Sequence, residues 1–289
     1  MGMRKDFIVK KEERKTKKLK RISNSNSLPQ RLNFNQNNQF NEMEDFEDWL
    51  TMQRIQSLFI SNMQDDNAHR FCINISNRDA AVMSLLQSTD QTAIRFIKFF
   101  RQIDEFQCLD ADDRFILMKY NILPVFPIYK CYNYKPENHY LNFNEENEET
   151  KQFRQFCRLF DETYDLRETL ISLVTSLVKL TNQDPTILSS ILIILVFSQG
   201  LLMNEDEPAL KNSLAINRIQ SRYTKILWNY LIGKLGEEQT WKYFTQLLIV
   251  IFQLQSASRI FRDFLRTHHI IRDSVDQITS FLQSFLSLS

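Results

Sequence analysis

Apolar residues recur along this chain at three- and four-residue steps, the spacing of buried helix faces. Ile94, Ile97, Phe100 and Ile103, with Phe96 and Phe99, make one such face, and Phe115, Ile116, Leu117 and Met118 open another. Between them, Cys108-Leu109-Asp110-Ala111-Asp112-Asp113 places carboxylates where the next helix would begin. Acidic side chains there accept from unpaired backbone N–H groups and suit the positive end of the helix dipole. The pattern predicts a helix, a tight corner, and a second helix packed across the first.

The rest of the chain reads in the same way. Trp49, Ile55, Phe59 and Met63 predict the first helix of the folded part, followed by a polar loop over 65–77 and a long helix from about Arg78 to Glu105. Pro124 and Pro127 fall in the apolar run after Lys119, where each removes a backbone donor, so a kink or an early end is predicted. Phe153, Phe156, Leu159 and Phe160 begin another helix, and Leu166 to Leu180 a longer one. Asp184-Pro185 is an N-cap followed by proline at the first helical position. Ile187 to Phe197 is apolar nearly all round, which predicts burial on every side. Pro208 is expected to begin the next helix, which carries Ile216, Ile219, Gln220, Tyr223, Leu227 and Tyr230 and ends at Gly233 and Gly236. Trp241, Phe244, Leu247, Leu248, Ile251, Phe252, Leu254 and Ile260 mark a long penultimate helix.

Composition narrows the fold class. With 43% hydrophobic residues, only 4 Gly and 6 Pro in 289 residues, the chain has the material for a large core and few helix breakers. The 23 Phe can fill that core or line an apolar cavity. The net charge of +1 gives no overall bias toward polyanions, but residues 1–21 hold ten Lys or Arg against three Asp or Glu. Such a segment is a solvated tail, a nuclear import signal, or an arm that binds phosphates without reading sequence. Residues 22–41 are rich in Asn, Gln and Ser without periodicity, the composition of a disordered hinge. Cys72, Cys108, Cys131 and Cys157 form no CxxC pair, so neither a zinc module nor a dithiol motif is supported. The longest apolar run, Ile191 to Phe197, is far short of the roughly twenty residues of a membrane span.

Phe99, Phe100, Arg101, Phe106, Leu109, Asp113, Arg114, Leu117, Met118 and Lys119 stand at the spacing of a longer pattern: aromatic, small, basic, then Phe, Leu, Asp-Gln and Leu-Leu-Lys. In this respect the chain resembles the ligand-binding domain of nuclear hormone receptors, departing from it with Phe100 for a small residue, Arg114 for Gln and Met118 for Leu. The resemblance implies an all-α fold, a three-layer antiparallel helical sandwich of about 10–12 helices, over residues 42–289. Gly2 to Ile8 is similar to the segment after the second zinc finger in such receptors, most like the vitamin D receptor and its invertebrate relatives. It implies a basic extension over 1–21 with Arg4, Lys5, Lys10, Lys11, Arg14 and Lys15 on DNA phosphates. No cysteine precedes Cys72, so the zinc fingers, and with them the only zinc the resemblance implies, are not in this chain. It either lacks sequence-specific DNA binding or is part of a longer product.

The resemblance also implies the site residues. Leu85, Thr89, Thr92, Leu123, Phe126 and Asn133 would face a pocket for a small lipophilic ligand, with apolar walls and a few polar anchors. Ile94, Ile97, Arg101, Arg114, Phe115, Met118 and Lys119 would form a groove for coregulator helices, completed by Phe281, Leu282, Ser284 and Phe285 of a C-terminal helix. In relatives a Glu stands where this chain has Ser284, and it caps the bound helix opposite a Lys; the Lys position here is Arg101. Losing that anion should cost roughly 0.3–1 kcal/mol, which predicts a weakened ligand-dependent switch. Pro124 and Gln255 stand where many relatives carry a Glu–Arg pair, so both partners are replaced together. The outer face of the penultimate helix would serve a homodimer, or a heterodimer with a retinoid X receptor-like partner. The nucleus is the implied location. The other reading is a ligand-independent helical scaffold or orphan dimerisation partner whose phenylalanines fill the pocket. No HExxH, nucleophile elbow or glycine-rich phosphate loop supports an enzyme. His268 and His269, adjacent on a helix, point apart and make no metal site.

Overall fold

The computed structural model describes residues 41–66, 73–135, 148–160, 166–198 and 209–267. The chain divides into two units, Met1–Asp45 and Phe46–Ser289. Only the helical backbone of residues 41–45 is described in the first, so the basic arm lies outside the described residues. The second unit is all-α, and no strand occurs among the described residues. Its helices are α1 (Asn41–Met63, begun in the first unit), α2 (Arg78–Phe100), α3 (Asp104–Gln107), α4 (Ala111–Tyr132), α5 (Glu148–Phe160), α6 (Leu166–Thr181), α7 (Pro185–Val196), α8 (Ser213–Leu235) and α9 (Glu237–Thr267).

Helix α4 is central to this unit, touching α2, α6, α7 and α9. Helix α8 bridges α7 and α9. The layers are joined by one core that includes Phe59, Phe96, Phe100, Leu117, Val125, Ile128, Leu192, Leu227 and Leu254. Helix α7 is buried from Thr186 to Val196, in keeping with its all-round apolar sequence. Its start is the expected one: the Asp184 side chain accepts from the N–H groups of Thr186 and Ile187, with Pro185 at the first position.

Several local expectations need correction. Helix α4 does not end early but runs on through Pro124 and Pro127. Each proline deprives the carbonyl four residues back of its donor, at a cost of about 3 kcal/mol in a helix interior. Burial of Ile122, Val125, Ile128 and Tyr129 along the same helix, at about 1.5–3 kcal/mol per large side chain, outweighs that loss. Helix α2 stops at Phe100 rather than Glu105, because the turn at Arg101 and Gln102 returns Ile103 to the core, where it is 3% exposed. Helix α8 starts at Ser213, where Asn212 caps the N–H of Ala215 at 3.1 Å; Pro208 lies outside the described residues. Gly233 lies inside α8, and only Gly236, at φ 79°, ends it. Trp49 is exposed on α1, while Ile55, Phe59 and Met63 are buried as expected.

Candidate functional site

The corner between α2 and α4 is built from local hydrogen bonds. The N–H of Arg101 donates to Ile97 O at 2.9 Å and that of Ile103 to Phe100 O at 3.0 Å, closing α2. Gln107 Nε2 then donates to Arg101 O at 3.1 Å, folding the short α3 back on the end of α2. Phe106, fully buried from α3, packs its ring 5.3 Å from that of Phe100 and 6.2 Å from that of Phe197. Asp110 starts α4 by accepting from the N–H of Asp112 at 2.9 Å, as the sequence predicts.

Asp113 does something the sequence did not reveal. Fully buried, it accepts from the N–H of Lys211 at 2.7 Å and of Asn212 at 3.1 Å, tying the corner to the start of α8. Lys211 Nζ adds contacts to Asp110 at 2.9 Å and Asp112 at 2.7 Å. The hydrogen bond from Lys211 holds the Asp110 carboxyl below the usual carboxylate range, helped by the Asp112 N–H. Asp104 is held low in the same way by Arg54 of α1. On the other side of α3, Glu105 accepts from Arg222 Nη1 at 2.8 Å and from the Tyr223 hydroxyl at 3.0 Å. Burial, and then the Glu105 charge, push the Tyr223 phenol up.

The residues expected to form a coregulator groove divide by exposure. Ile97 and Met118 are each 1% exposed and belong to the core beneath the corner. Ile94, Phe115 and Lys119 are half-buried, and Arg101 is exposed at the end of α2. Lys119 Nζ lies 5.2 Å from the centre of the Tyr120 ring. Arg114 is half-buried and donates to Gln107 Oε1 at 3.0 Å, so it braces α3 as well as edging this face. Phe281, Leu282, Ser284 and Phe285 lie outside the described residues.

Of the expected pocket residues, Thr92 is buried and Phe126 half-buried, its ring edge-on to Phe96 at 6.2 Å. The side chains of Leu85, Thr89 and Leu123 are outside what the structure describes. Asn133 is buried in a network of its own: its Nδ2 donates to Met63 O and Tyr129 O, and its Oδ1 accepts from the N–H of Asp65. Asp65 in turn accepts from Arg95 Nη2 at 3.0 Å and the Tyr129 hydroxyl at 2.7 Å. This cluster clamps the end of α1 to α2 and α4. Its sequence signal was Arg95, a cation inside the apolar run Ala93 to Phe100. Pro124 and Gln255 are both buried, with no charge at either position.

Among the described residues no cluster of His, Cys, Asp or Glu could hold a metal ion, and no helix is long and apolar enough to cross a membrane. The Cys131 thiol is pushed up to about 12 by burial, which keeps it protonated. Comparison with curated proteins gives no match. The family model described as the ligand-binding domain of nuclear hormone receptor matches residues 74–270, which span the corner and everything from α2 to α9. With more than half of its length matched, the chain belongs to the nuclear hormone receptor ligand-binding domain family.

Proposed function

We propose that this chain is the regulatory part of a nuclear transcription factor, one that binds coregulator helices at the α2–α4 corner with a weakened ligand-dependent switch. The observation carrying this reading is the corner itself. Arg101 stands exposed at the end of α2, with half-buried Ile94, Phe115 and Lys119 above a floor of Ile97 and Met118. A cation there suits the C-terminal carbonyls of a bound helix, while apolar side chains below accept its apolar face. Ser284 offers a hydrogen-bond acceptor in place of an anion at the other end, so the C-terminal helix caps its partner less strongly. Titration with a coregulator peptide tests this: binding should be weak and lost on Arg101→Ala. Strong binding that survives Arg101→Ala but fails on Ser284→Ala would contradict it.

The expected ligand is a small lipophile between α2 and α4. Two observations favour the alternative of a filled interior. Phe59, Phe96 and Phe99 are completely buried, and Asn133, expected as a polar anchor, is committed to Met63, Tyr129 and Asp65. Native mass spectrometry of the purified chain separates the two readings by the presence or absence of a co-purifying lipophile.

The outer face of α9 supports a dimer. Trp241, Leu248, Ile249, Phe252 and Ile260 are all exposed on it, and clustered exposed apolar side chains mark interaction faces. A second copy or a retinoid X receptor-like partner would cover them. Residues 1–21 are proposed to contact DNA phosphates when the chain is joined to zinc fingers, and 22–41 to act as the hinge before the ligand-binding domain. The nucleus is the compartment this activity requires.

A further inference from the structure

Helix α1 carries apolar side chains on two separate faces. Ile55, Phe59 and Met63 are buried in the core. Phe46, Trp49 and Leu50 are 59%, 45% and 47% exposed. At 3.6 residues per turn the two sets lie about 130° apart around the helix. Steps of three and four residues put Phe46, Trp49 and Leu50 on one face. The rings of Phe46 and Trp49 stack with centres 6.2 Å apart. This patch does nothing for the core of its own chain, and an exposed apolar patch with a polar rim marks a binding face.

The rim is acidic. Residues 41–53 contain Glu42, Glu44, Asp45, Glu47 and Asp48 and no Lys or Arg. Asp48 is spoken for by Arg222, 3.8 Å away, whereas Glu47, between Phe46 and Trp49, is exposed. An acidic apolar face is repelled by nucleic acid and by anionic lipid, and it suits an apolar surface edged with cations.

The α2–α4 corner is such a surface. Ile94 and Ile97 on α2, and Phe115 and Met118 on α4, repeat at the three-residue step that also separates Phe46 from Trp49. Lys98 and Arg101 are exposed at the end of α2, and Lys119 is half-buried on α4. Among the described residues none of these three cations is paired with a carboxylate. Phe46, Trp49 and Leu50 are in water, so they are not seated on the corner of their own chain.

We propose that Phe46, Trp49 and Leu50 dock on the α2–α4 corner of a second copy of this chain, with Glu47 facing Lys98, Arg101 and Lys119. Resting on the reading of that corner as a helix-binding groove, this identifies one helix the groove takes. Self-association then competes with coregulator helices for the same surface. Burial of Ile55, Phe59 and Met63 already holds α1 as a helix, so docking loses little conformational freedom. Three side chains and a charged rim make a small contact, of the size that gives weak and transient association.

Sedimentation velocity of the full chain carrying Phe252→Arg, which disables the α9 face, tests this. Self-association should persist in that background. It should weaken at least about tenfold in a donor variant, Phe46→Ser, Trp49→Ser, Leu50→Ser, and in an acceptor variant, Arg101→Glu, Lys119→Glu. Glu47→Arg, a single exposed change, should weaken it as well. Mixed one to one, the donor and acceptor variants should associate again, since each keeps the surface the other lacks, and added salt should loosen the mixture. Recovery in the mixture also shows that both variants are folded. A monomeric Phe252→Arg chain, a donor variant or Glu47→Arg that associates like its parent, or a mixture that stays monomeric overturns the proposal. A synthetic helical peptide with leucines at steps of three and four residues, titrated into the donor variant, reports on the groove alone. If it binds while the mixture stays monomeric, only the α1 docking falls; if neither associates, the reading of the corner falls with it.

Discussion

Asp113 Oδ1 accepts the backbone N–H of Lys211 at 2.7 Å, across 98 residues of sequence. With the second oxygen on the N–H of Asn212, a single buried carboxylate sets where α8 begins relative to the α2–α4 corner. Removing it strands two backbone donors inside the protein, and hydrogen bonds to a charged group contribute about 1.5–3 kcal/mol each. Asp113→Ala should therefore lower the unfolding free energy by about 3 kcal/mol or more. Urea denaturation followed by circular dichroism measures this, and Asp112→Ala, exposed one residue earlier, is the mild comparison.

Asp184 joins the start of α7 to the last turns of α8. It caps α7, accepts from Tyr230 at 2.8 Å, and is paired with Lys234 of α8. Burial pushes its carboxyl up, but the Lys234 ammonium and the Tyr230 hydroxyl more than offset this and leave it below the usual range. A depressed folded value means the contribution to stability is complete above the unfolded value, about pH 4, and is lost as pH falls through the folded one. Stability should therefore decline below about pH 4. Asp184→Asn, which retains a capping oxygen, should show a smaller decline over the same window in thermal melts against pH.

On the proposed reading, Ser284 stands where a Glu would cap one end of a bound coregulator helix. Supplying it should strengthen binding of a coregulator peptide by the value of one helix-terminus charge, about 0.3–1 kcal/mol, or up to about fivefold. The gain should vanish in the background Arg101→Ala if both ends of the bound helix must be capped. Fluorescence anisotropy of a labelled coregulator peptide measures both.

The α9 face predicts self-association or association with a partner. Trp241 and Phe252 are 61% and 58% exposed, and Trp241 packs edge-on to Trp228 with ring centres 4.6 Å apart. Central aromatic residues carry more than about 1 kcal/mol each at interfaces. Phe252→Arg should raise the dimer dissociation constant at least tenfold by analytical ultracentrifugation, while Thr245→Ala on the same helix should change it little.

The helices, the signature corner and several caps were legible in the sequence, since they depend on spacing within one turn. Asp110 before Asp112, Asp184 before Pro185 and the all-apolar α7 each specify their own conformation. What the sequence did not show was which neighbour each side chain finds. Pro124 and Pro127 read as breakers, yet burial around α4 outweighs the two lost hydrogen bonds. Asn133 read as facing a pocket, and only the packed chain shows its amide bonded to Met63 O and the Asp65 N–H at the end of α1. Asp113 read as one more acidic residue at a helix start, and only the packed chain gives it Lys211 and Asn212. Periodicity and capping are local and survive in a bare string of residues. Burial and long-range hydrogen bonds exist only once distant segments meet, so the structure alone decided how the corner and the start of α8 are joined.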